Sequence, residues 1–337
     1  MNGARLTLGE LHELTARALV AAGTLRETAD VVADALVAAE ADGQPGHGIS
    51  RLASYADQVR SGKVDGRARP SATRPARAAV AVDARCGFAY PAIAMGAELG
   101  AEVAAQCGIA ALVIGNSHHS GMAGHHVESL ARRGMVTLAF SNSPAAIAPQ
   151  GGGRPLFGTN PIAFACPRAG SDPLVIDLSL SKVARGKVMV AAKAGEAIPE
   201  GWAVDPEGRP TTDARAALAG AMLPIGDAKG AALAMMVEIL ATCLSGANFG
   251  FEASSFFDAE GPPPRVGQFF VLLSPDAVGA PGFAERVETL CAAVLAQGGT
   301  RLPGDRRYEA RRRAEREGVV LPDTLFADLV RRAGSTD

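Results

Sequence analysis

Six short apolar runs constrain the fold of this chain more than any other feature. They are AAVAVDA (78–84), GIAALVIG (108–115), MVTLAFS (135–141), PIAFACP (161–167), PLVIDLS (173–179) and GQFFVLLSP (267–275). Gly, Pro and Asn bound them, and their length and alternation predict strands. Between them lie helical patterns over 90–106, 122–133, 182–193, 228–245 and 280–297. Strands interleaved with helices predict an α/β class, while periodicity leaves parallel and antiparallel pairing both open. Ahead of the first run, Leu8, Leu11, Leu14 and Ala18 recur at helical spacing behind Thr7, a candidate N-cap. Helices are therefore expected over 7–22 and 26–41. A third, over 48–61, carries Ile49, Leu52, Tyr55, Ala56 and Val59 on one stripe. The Pro- and Arg-containing stretch 65–77 reads as a linker. A chain of 337 residues holds one large core or two domains.

Composition narrows the function. The chain is 48% hydrophobic and 20% charged with a net charge of −2, an ordinary soluble balance that offers no footprint for nucleic acid or a membrane surface. The densest basic stretch, RRYEARRRAERE (306–317), has three glutamates among its arginines and reads as a solvated helix with i,i+4 pairs. Cys86, Cys107, Cys166, Cys243 and Cys291 are scattered, odd in number and form no C-x-x-C, which argues against a disulfide framework or a zinc site and for buried small apolar residues. MNGARLTLGELHEL lacks the apolar core of a signal peptide, and no apolar run reaches the ~20 residues of a membrane span. A cytoplasmic location is expected.

The chemistry sits in short polar segments. His47 lies between two glycines in GHGISR (46–51), and Arg51 follows four positions later. In a helix that spacing puts both on one face, with a planar fork for a carboxylate beside an imidazole able to move a proton near neutral pH. The bland alternative is a solvated histidine at a helix start. NSHHSGMAGHH (116–126) holds His118, His119, His125 and His126 among small residues that let backbone approach a flat or phosphate-bearing ligand closely. A metal site there lacks a neighbouring acid or thiol within the segment, so no metal is expected. FGTNPIAF (157–164) offers Thr159 at a turn. DLSLSKVARGKV (177–188) ends a strand with Asp177 and Ser179, then opens a helix with Lys182, Arg185 and Lys187. Lys229 opens an apolar helix, and RLPGDRR (301–307) repeats the theme of cations at a helix start. The Rossmann turn G-x-G-x-x-G is missing, so a dinucleotide would have to bind by another route.

Taken in order, GHGISR, NSHHSGMAG, FGTNPIAF, DLSLSKVARGK, GDAKGAALAMMVEIL and RLPGDRR resemble the malate/L-lactate dehydrogenase family, whose NAD(P) fold is distinct from Rossmann. The C-terminal half looks nearest to members that reduce Δ1-pyrroline-2-carboxylate and Δ1-piperideine-2-carboxylate. The resemblance implies a largely antiparallel central sheet and a homodimer. It implies a helical region over 1–75 carrying the proton donor, an α/β cofactor- and substrate-binding domain over 76–275, and C-terminal helices over 276–337 packing back on the first. Carried over by position, His47 is the proton donor and Arg51 the substrate-carboxylate residue, with His119, Thr159 and Arg185 also at the substrate. His119, Ser120, Gly121, Met122, Ala123, Asp177, Leu178, Ser179, Lys229, Pro303, Gly304, Asp305, Arg306 and Arg307 are cofactor contacts. The implied cofactor is NADP or NAD, with NADPH slightly favoured. The implied reaction is hydride transfer to C2 of a small 2-imino or 2-oxo carboxylate, the cyclic imines first. A malate/L-lactate-type 2-hydroxyacid dehydrogenase is the enzyme alternative, and a catalytically silent NAD(P)-binding protein the alternative of another class. The family usually has Ser before the proton donor and His before the lysine; here Gly46 and Ala228 stand there.

Overall fold

The computed structural model describes residues 3–334. It opens with β1 (Gly3–Leu6), α1 (Leu8–Ala21) and α2 (Arg26–Ala41). Thr7 caps α1 as expected: the Glu10 N–H donates to its Oγ1 at 3.2 Å and its own N–H donates to the Glu10 carboxylate at 2.8 Å. The expected helix over 48–61 is interrupted at its start. Two 3₁₀ turns, Pro45–His47 and Ile49–Arg51, precede α3 (Leu52–Ser61), because Gly48 leaves the helical region with ψ −140°. A left-handed Gly62 ends α3.

Next come β2 (Ser71–Ala76), β3 (Ala79–Asp83), α4 (Ala89–Cys107), β4 (Ile109–Ser117), α5 (Ala123–Ala131), β5 (Val136–Ser141), β6 (Ile162–Cys166) and β7 (Leu174–Leu178). After α6 (Arg185–Ala194) a small sheet forms from β8 (Ala203–Val204), β9 (Pro210–Thr211) and, beyond α7 (Ala214–Ala219), β10 (Ala221–Met222). Then follow α8 (Ala228–Glu238) with a π turn over Ile239–Cys243, β11 (Val266–Leu273), α9 (Phe283–Leu295), α10 (Asp305–Glu317), β12 (Val319–Pro322) and α11 (Asp323–Ala333). No helix among the described residues is long and apolar enough to cross a membrane.

All six apolar runs become strands of one seven-stranded sheet, ordered β2-β3-β4-β11-β5-β6-β7. Only β3 and β4 run parallel; the other neighbouring pairs are antiparallel. The seventh strand, β2, lies inside the stretch expected to be a linker. It is an edge strand, and the register shifts between Thr73 and Ala76, the position where Pro75 is tolerated without a ladder donor. Late in sequence but central in space, β11 sets Phe270 opposite Leu112 of β4 and Ala139 of β5. Side chains alternate across it. Phe270 joins Leu112, Ile114, Ile93 and Val127 under α4 and α5, while Phe269 joins Phe140, Ile147, Val237 and Met222 under α8. A separate core gathers Leu11, Leu19, Leu36, Tyr55, Leu321 and Leu329, and β12 pairs with β1, so α11 lies against the first helices.

The basic helix departs from expectation. Arg307 and Arg311 of α10 are turned inward rather than paired along a solvated face. The Asp42 carboxylate accepts from both Arg307 Nε and Arg311 Nε at 2.7 Å, and Glu128 accepts from Arg311 Nη1 at 2.6 Å. Asp42 is fully buried and Glu128 nearly so. Removing one member of such a pair strands the other's charge in low dielectric at a cost of about 3–5 kcal/mol. The network therefore clamps α10 onto α2 and α5. Burial pushes the Glu128 carboxyl up, but Arg311 and Arg307 outweigh it and hold the group at about 2. The cysteines are all free; Cys166 and Cys291 are buried as expected, but Cys243 is exposed.

Candidate active site

A cavity of about 1040 Å³ opens between the 3₁₀ turns, the loop before α5, the start of α6 and the segment around Phe256. His47 and Arg51 both line it. They do not share a helix face, as spacing alone predicts; the Gly48 break separates them into two turns that still face one space. Glu40 of α2 holds that break: its Oε1 accepts from the Ile49 N–H at 2.7 Å, and a side chain on residue 48 would collide with the same carboxylate. Arg51 Nε donates to the Gly46 carbonyl at 2.7 Å, and its guanidinium lies 4.5 Å from the centre of the Phe257 ring. No carboxylate among the described residues pairs with it. Burial lowers its affinity for the proton, countered by the Tyr55 and Tyr90 hydroxyls, yet a guanidinium stays charged. A half-buried cation in a cavity wall without a counter-ion favours an incoming anion.

The histidine-rich segment disperses rather than clustering. His119 lines the cavity, stacked on His47 with ring centres 5.5 Å apart. Tyr55 Oη lies 2.6 Å from His119 Nδ1 and 3.0 Å from Tyr90 Oη. His118 is buried edge-on against Tyr55 and Phe88. His126 Nε2 lies 2.8 Å from the Ser120 carbonyl. Burial lowers His47 to about 4, with the Arg51 charge as a second cause, and lowers His118 and His126 to about 3. All three are neutral imidazoles at pH 7.

Thr159 and Ser143 share the cavity wall; the Thr159 N–H donates to Ser143 Oγ at 3.0 Å. Behind them Glu238, buried at the end of α8, accepts from Asn160 Nδ2 at 2.7 Å and from the Gly250 N–H at 2.6 Å. One carboxylate thus ties together two of the loops that shape the site. Asp177 and Ser179 line the cavity, and the Gly124 N–H at the start of α5 donates to Asp177 Oδ2 at 2.7 Å. Arg185 and Lys187 line it from the first turn of α6. Arg185 reaches only carbonyls, of Ala145 at 3.5 Å and Leu218 at 3.3 Å.

Of the residues singled out in the sequence, the fold brings His47, Arg51, His119, Gly121, Met122, Ala123, Thr159, Asp177, Ser179 and Arg185 to this cavity. The others lie outside its wall. Leu178 alternates to the opposite side of the strand from Asp177 and Ser179 and is exposed. Ser120 is buried, its hydroxyl directed to Ser141. Lys229 is exposed on the first turn of α8. Pro303, Gly304, Asp305 and Arg306 sit at the start of α10, and Arg307 is committed to Asp42 and Glu128. The sequence reading missed Ser143, Phe256 and Phe257 as wall residues, and Tyr55 and Tyr90 as partners of His119. Tyr55 carried only the signal of a helix stripe, indistinguishable from core packing.

A model of the malate/L-lactate dehydrogenase family matches residues 6–330. The chain belongs to this family. Among its relatives, a (2R)-3-sulfolactate dehydrogenase (NADP(+)) of Chromohalobacter salexigens is 55% identical over 96% of each chain. A Δ1-pyrroline-2-carboxylate/Δ1-piperideine-2-carboxylate reductase of Pseudomonas syringae pv. tomato is 43% identical over 96% of this chain and 95% of that one. Of solved structures, a Δ1-piperideine-2-carboxylate reductase from the same species superposes with a TM-score of 0.93 at 41% identity, covering 98% of this chain and 99% of that one. A sulfolactate dehydrogenase of Methanocaldococcus jannaschii gives 0.89 at 27% identity, covering 98% and 96%. The family is one of oxidoreductases, and its antiparallel-rich sheet is the one described above.

Proposed function

We propose that this chain is an NAD(P)H-dependent reductase of small 2-imino or 2-oxo carboxylates, with Δ1-pyrroline-2-carboxylate and Δ1-piperideine-2-carboxylate as first candidates. The observation that carries the reading is Arg51, a charged and unpaired guanidinium in a cavity wall it shares with His47. Arg51 binds the substrate carboxylate and so fixes C2 and its oxygen or nitrogen beside the two imidazoles. His47 manages the proton at that heteroatom, and Thr159 contacts the substrate from the same cavity wall.

The residues present fit a dinucleotide. The cavity lies at the top of the ~300–1,000 Å³ range of ligand sites, and α6 starts without a side-chain cap, leaving first-turn N–H groups beside Arg185 and Lys187. Gly121, Met122, Ala123, Asp177, Ser179, Arg185 and Lys187 would hold the cofactor. When bound, it supplies the hydride that C2 accepts. Lys229 and Pro303 to Arg307 are not among the residues lining the cavity, and their part as cofactor contacts rests on the family resemblance alone. NADP is favoured, in keeping with the NADP(+)-linked sulfolactate dehydrogenase to which the chain is 55% identical.

A second reading takes a 2-oxo acid with a further anionic group, as in the sulfolactate type. Arg185 favours it, being a second cavity guanidinium with only long carbonyl contacts. Oxidation of NADPH and of NADH, followed side by side with the two cyclic imines, pyruvate, oxaloacetate and 3-sulfopyruvate, decides. Fastest turnover of the imines supports the first reading, and turnover of the dianions alone supports the second. Tight NADPH binding with no turnover would leave a silent binding protein.

We assign a cytoplasmic homodimer. Scattered free cysteines support the compartment. Leu233, Met235, Met236, Ile239 and Leu244 are exposed apolar side chains on α8, its π turn and the residue after it, the kind of surface a second copy covers. Sedimentation at the mass of a single protomer would refute the dimer.

A further inference from the structure

The hydroxyls of Tyr55 and Tyr90 raise a question of hydrogen counting. Tyr55 is fully buried and Tyr90 nearly so. The contacts are Tyr90 Oη to Tyr55 Oη at 3.0 Å and Tyr55 Oη to His119 Nδ1 at 2.6 Å, and Tyr90 Oη has no other hydrogen-bond partner among the described residues. Two hydroxyl hydrogens must be placed in this row. If Tyr90 donates to Tyr55 and Tyr55 donates to Nδ1, both are used. If instead Nδ1 carries the hydrogen and donates to Tyr55, three hydrogens share two contacts, and one of the two hydroxyl hydrogens is left buried without an acceptor. An orphaned buried donor costs about 1–3 kcal/mol.

We propose that Tyr55, with Tyr90 as its own hydrogen-bond donor, donates to Nδ1 and so fixes His119 in the tautomer with its hydrogen on Nε2, making His119 a donor into the cavity toward the heteroatom on C2 of the substrate. Tyr55 is the positioning residue, and Tyr90 fills its acceptor side; His119 makes the contact. His119 already lines the cavity, and with Nδ1 held by Tyr55 the other ring nitrogen is the one left to address it. A fixed N–H aimed where negative charge develops on reduction stabilises that charge without reorganisation. The row holds hydrogens rather than passing them on. Burial pushes the Tyr55 hydroxyl up to about 12 and the Tyr90 hydroxyl well above its usual value, so neither gives up its proton near neutral pH. The loop leaves room for the row: Gly121 has φ +67°, and a Cβ there would lie 2.5 Å from Tyr90 Oη. The atom that His119 addresses rests on the reductase reading; the tautomer does not.

The test is nitrogen NMR of the protein labelled with ¹⁵N-histidine, with His119 assigned by loss of its signals in His119→Asn. The expected wild-type spectrum shows a protonated-type Nε2 and an unprotonated-type Nδ1 between pH 6 and 8. A hydrogen on Nδ1, or a mixture of tautomers, overturns the proposal without reference to activity. In Tyr55→Phe the tautomers should mix and kcat/KM should fall about tenfold or more, the worth of one hydrogen bond in the transition state, with NADPH affinity retained. Tyr90→Phe should keep the wild-type tautomer, since Tyr55 still has only Nδ1 to donate to; inversion there would also overturn the count. Turnover and tautomer both unchanged in Tyr55→Phe refute the positioning role. No turnover with any acid, beside the expected spectrum, refutes the reductase reading alone.

Discussion

Replacing His47 with alanine is expected to lower turnover of the substrate acid by about 10²–10⁴-fold, the usual worth of a placed acid or base, with NADPH affinity retained. The pH dependence should identify the group. In the free protein burial, and secondarily the Arg51 charge, lowers the His47 imidazole to about 4. Reduction consumes a proton, so the acid form of His47 is the useful one, and the rate falls as pH rises through its pKa. The limb of kcat/KM reports the free enzyme and should lie low. Once a substrate carboxylate sits on Arg51, the second cause of the depression is neutralised, and the limb of kcat should lie at higher pH. In the oxidation direction the sign reverses: the neutral imidazole is the base and is already present at pH 7. Coincident limbs for kcat and kcat/KM, or a His47→Ala enzyme with unchanged profiles, would remove His47 from the proton's path. The missing family serine sharpens the point. Gly46 offers no hydroxyl to His47, and His47 Nδ1 is buried with no hydrogen-bond partner. What the structure provides instead is the ring of His119 stacked against it.

Local order was legible in the sequence because local physics dictates it. Thr7 caps α1, Gly62 ends α3, and the six apolar runs are strands, each following from cap chemistry, left-handed backbone or alternation. What stayed hidden was long-range. Nothing in GQFFVLLSP tells that β11, near the end of the chain, inserts between β4 and β5. Resemblance, rather than periodicity, supplied the antiparallel sheet. Arg307 and Arg311 looked solvated because their partners, Asp42 and Glu128, lie more than a hundred residues away. The candidate site was legible where motif and geometry coincide, at His47, Arg51, His119 and Thr159. It was illegible at Tyr55, whose ring obeys the helix stripe while its hydroxyl serves His119. It was illegible again at Glu238, a carboxylate in an apolar helix that is buried among Asn160, Asn142 and Gly250.

Replacing Arg51 with methionine should act on binding more than on the chemical step. Methionine keeps length and fills the space against Phe257, so the change removes charge and the fork of donors without opening a large void. The loss is the charge-assisted contact to the substrate carboxylate, together with the cost of leaving that anion unpaired in a closed site, about 2–5 kcal/mol. At 1.4 kcal/mol per tenfold, kcat/KM should fall by roughly 30-fold or more, expressed chiefly as a higher KM. A residue that only packs against Phe257 would leave KM alone. A lysine at the same place restores charge but not the planar fork, and should recover only part of the loss. The substitution also reports on His47, because it deletes the cation that helps depress it: in Arg51→Met the kcat/KM limb should move to higher pH, toward the ordinary histidine range. A KM effect without that movement would show that the two side chains, though they share a wall, do not feel one another. Movement without a KM effect would assign Arg51 to tuning the imidazole and give the carboxylate to Arg185, the other unpaired guanidinium in the cavity.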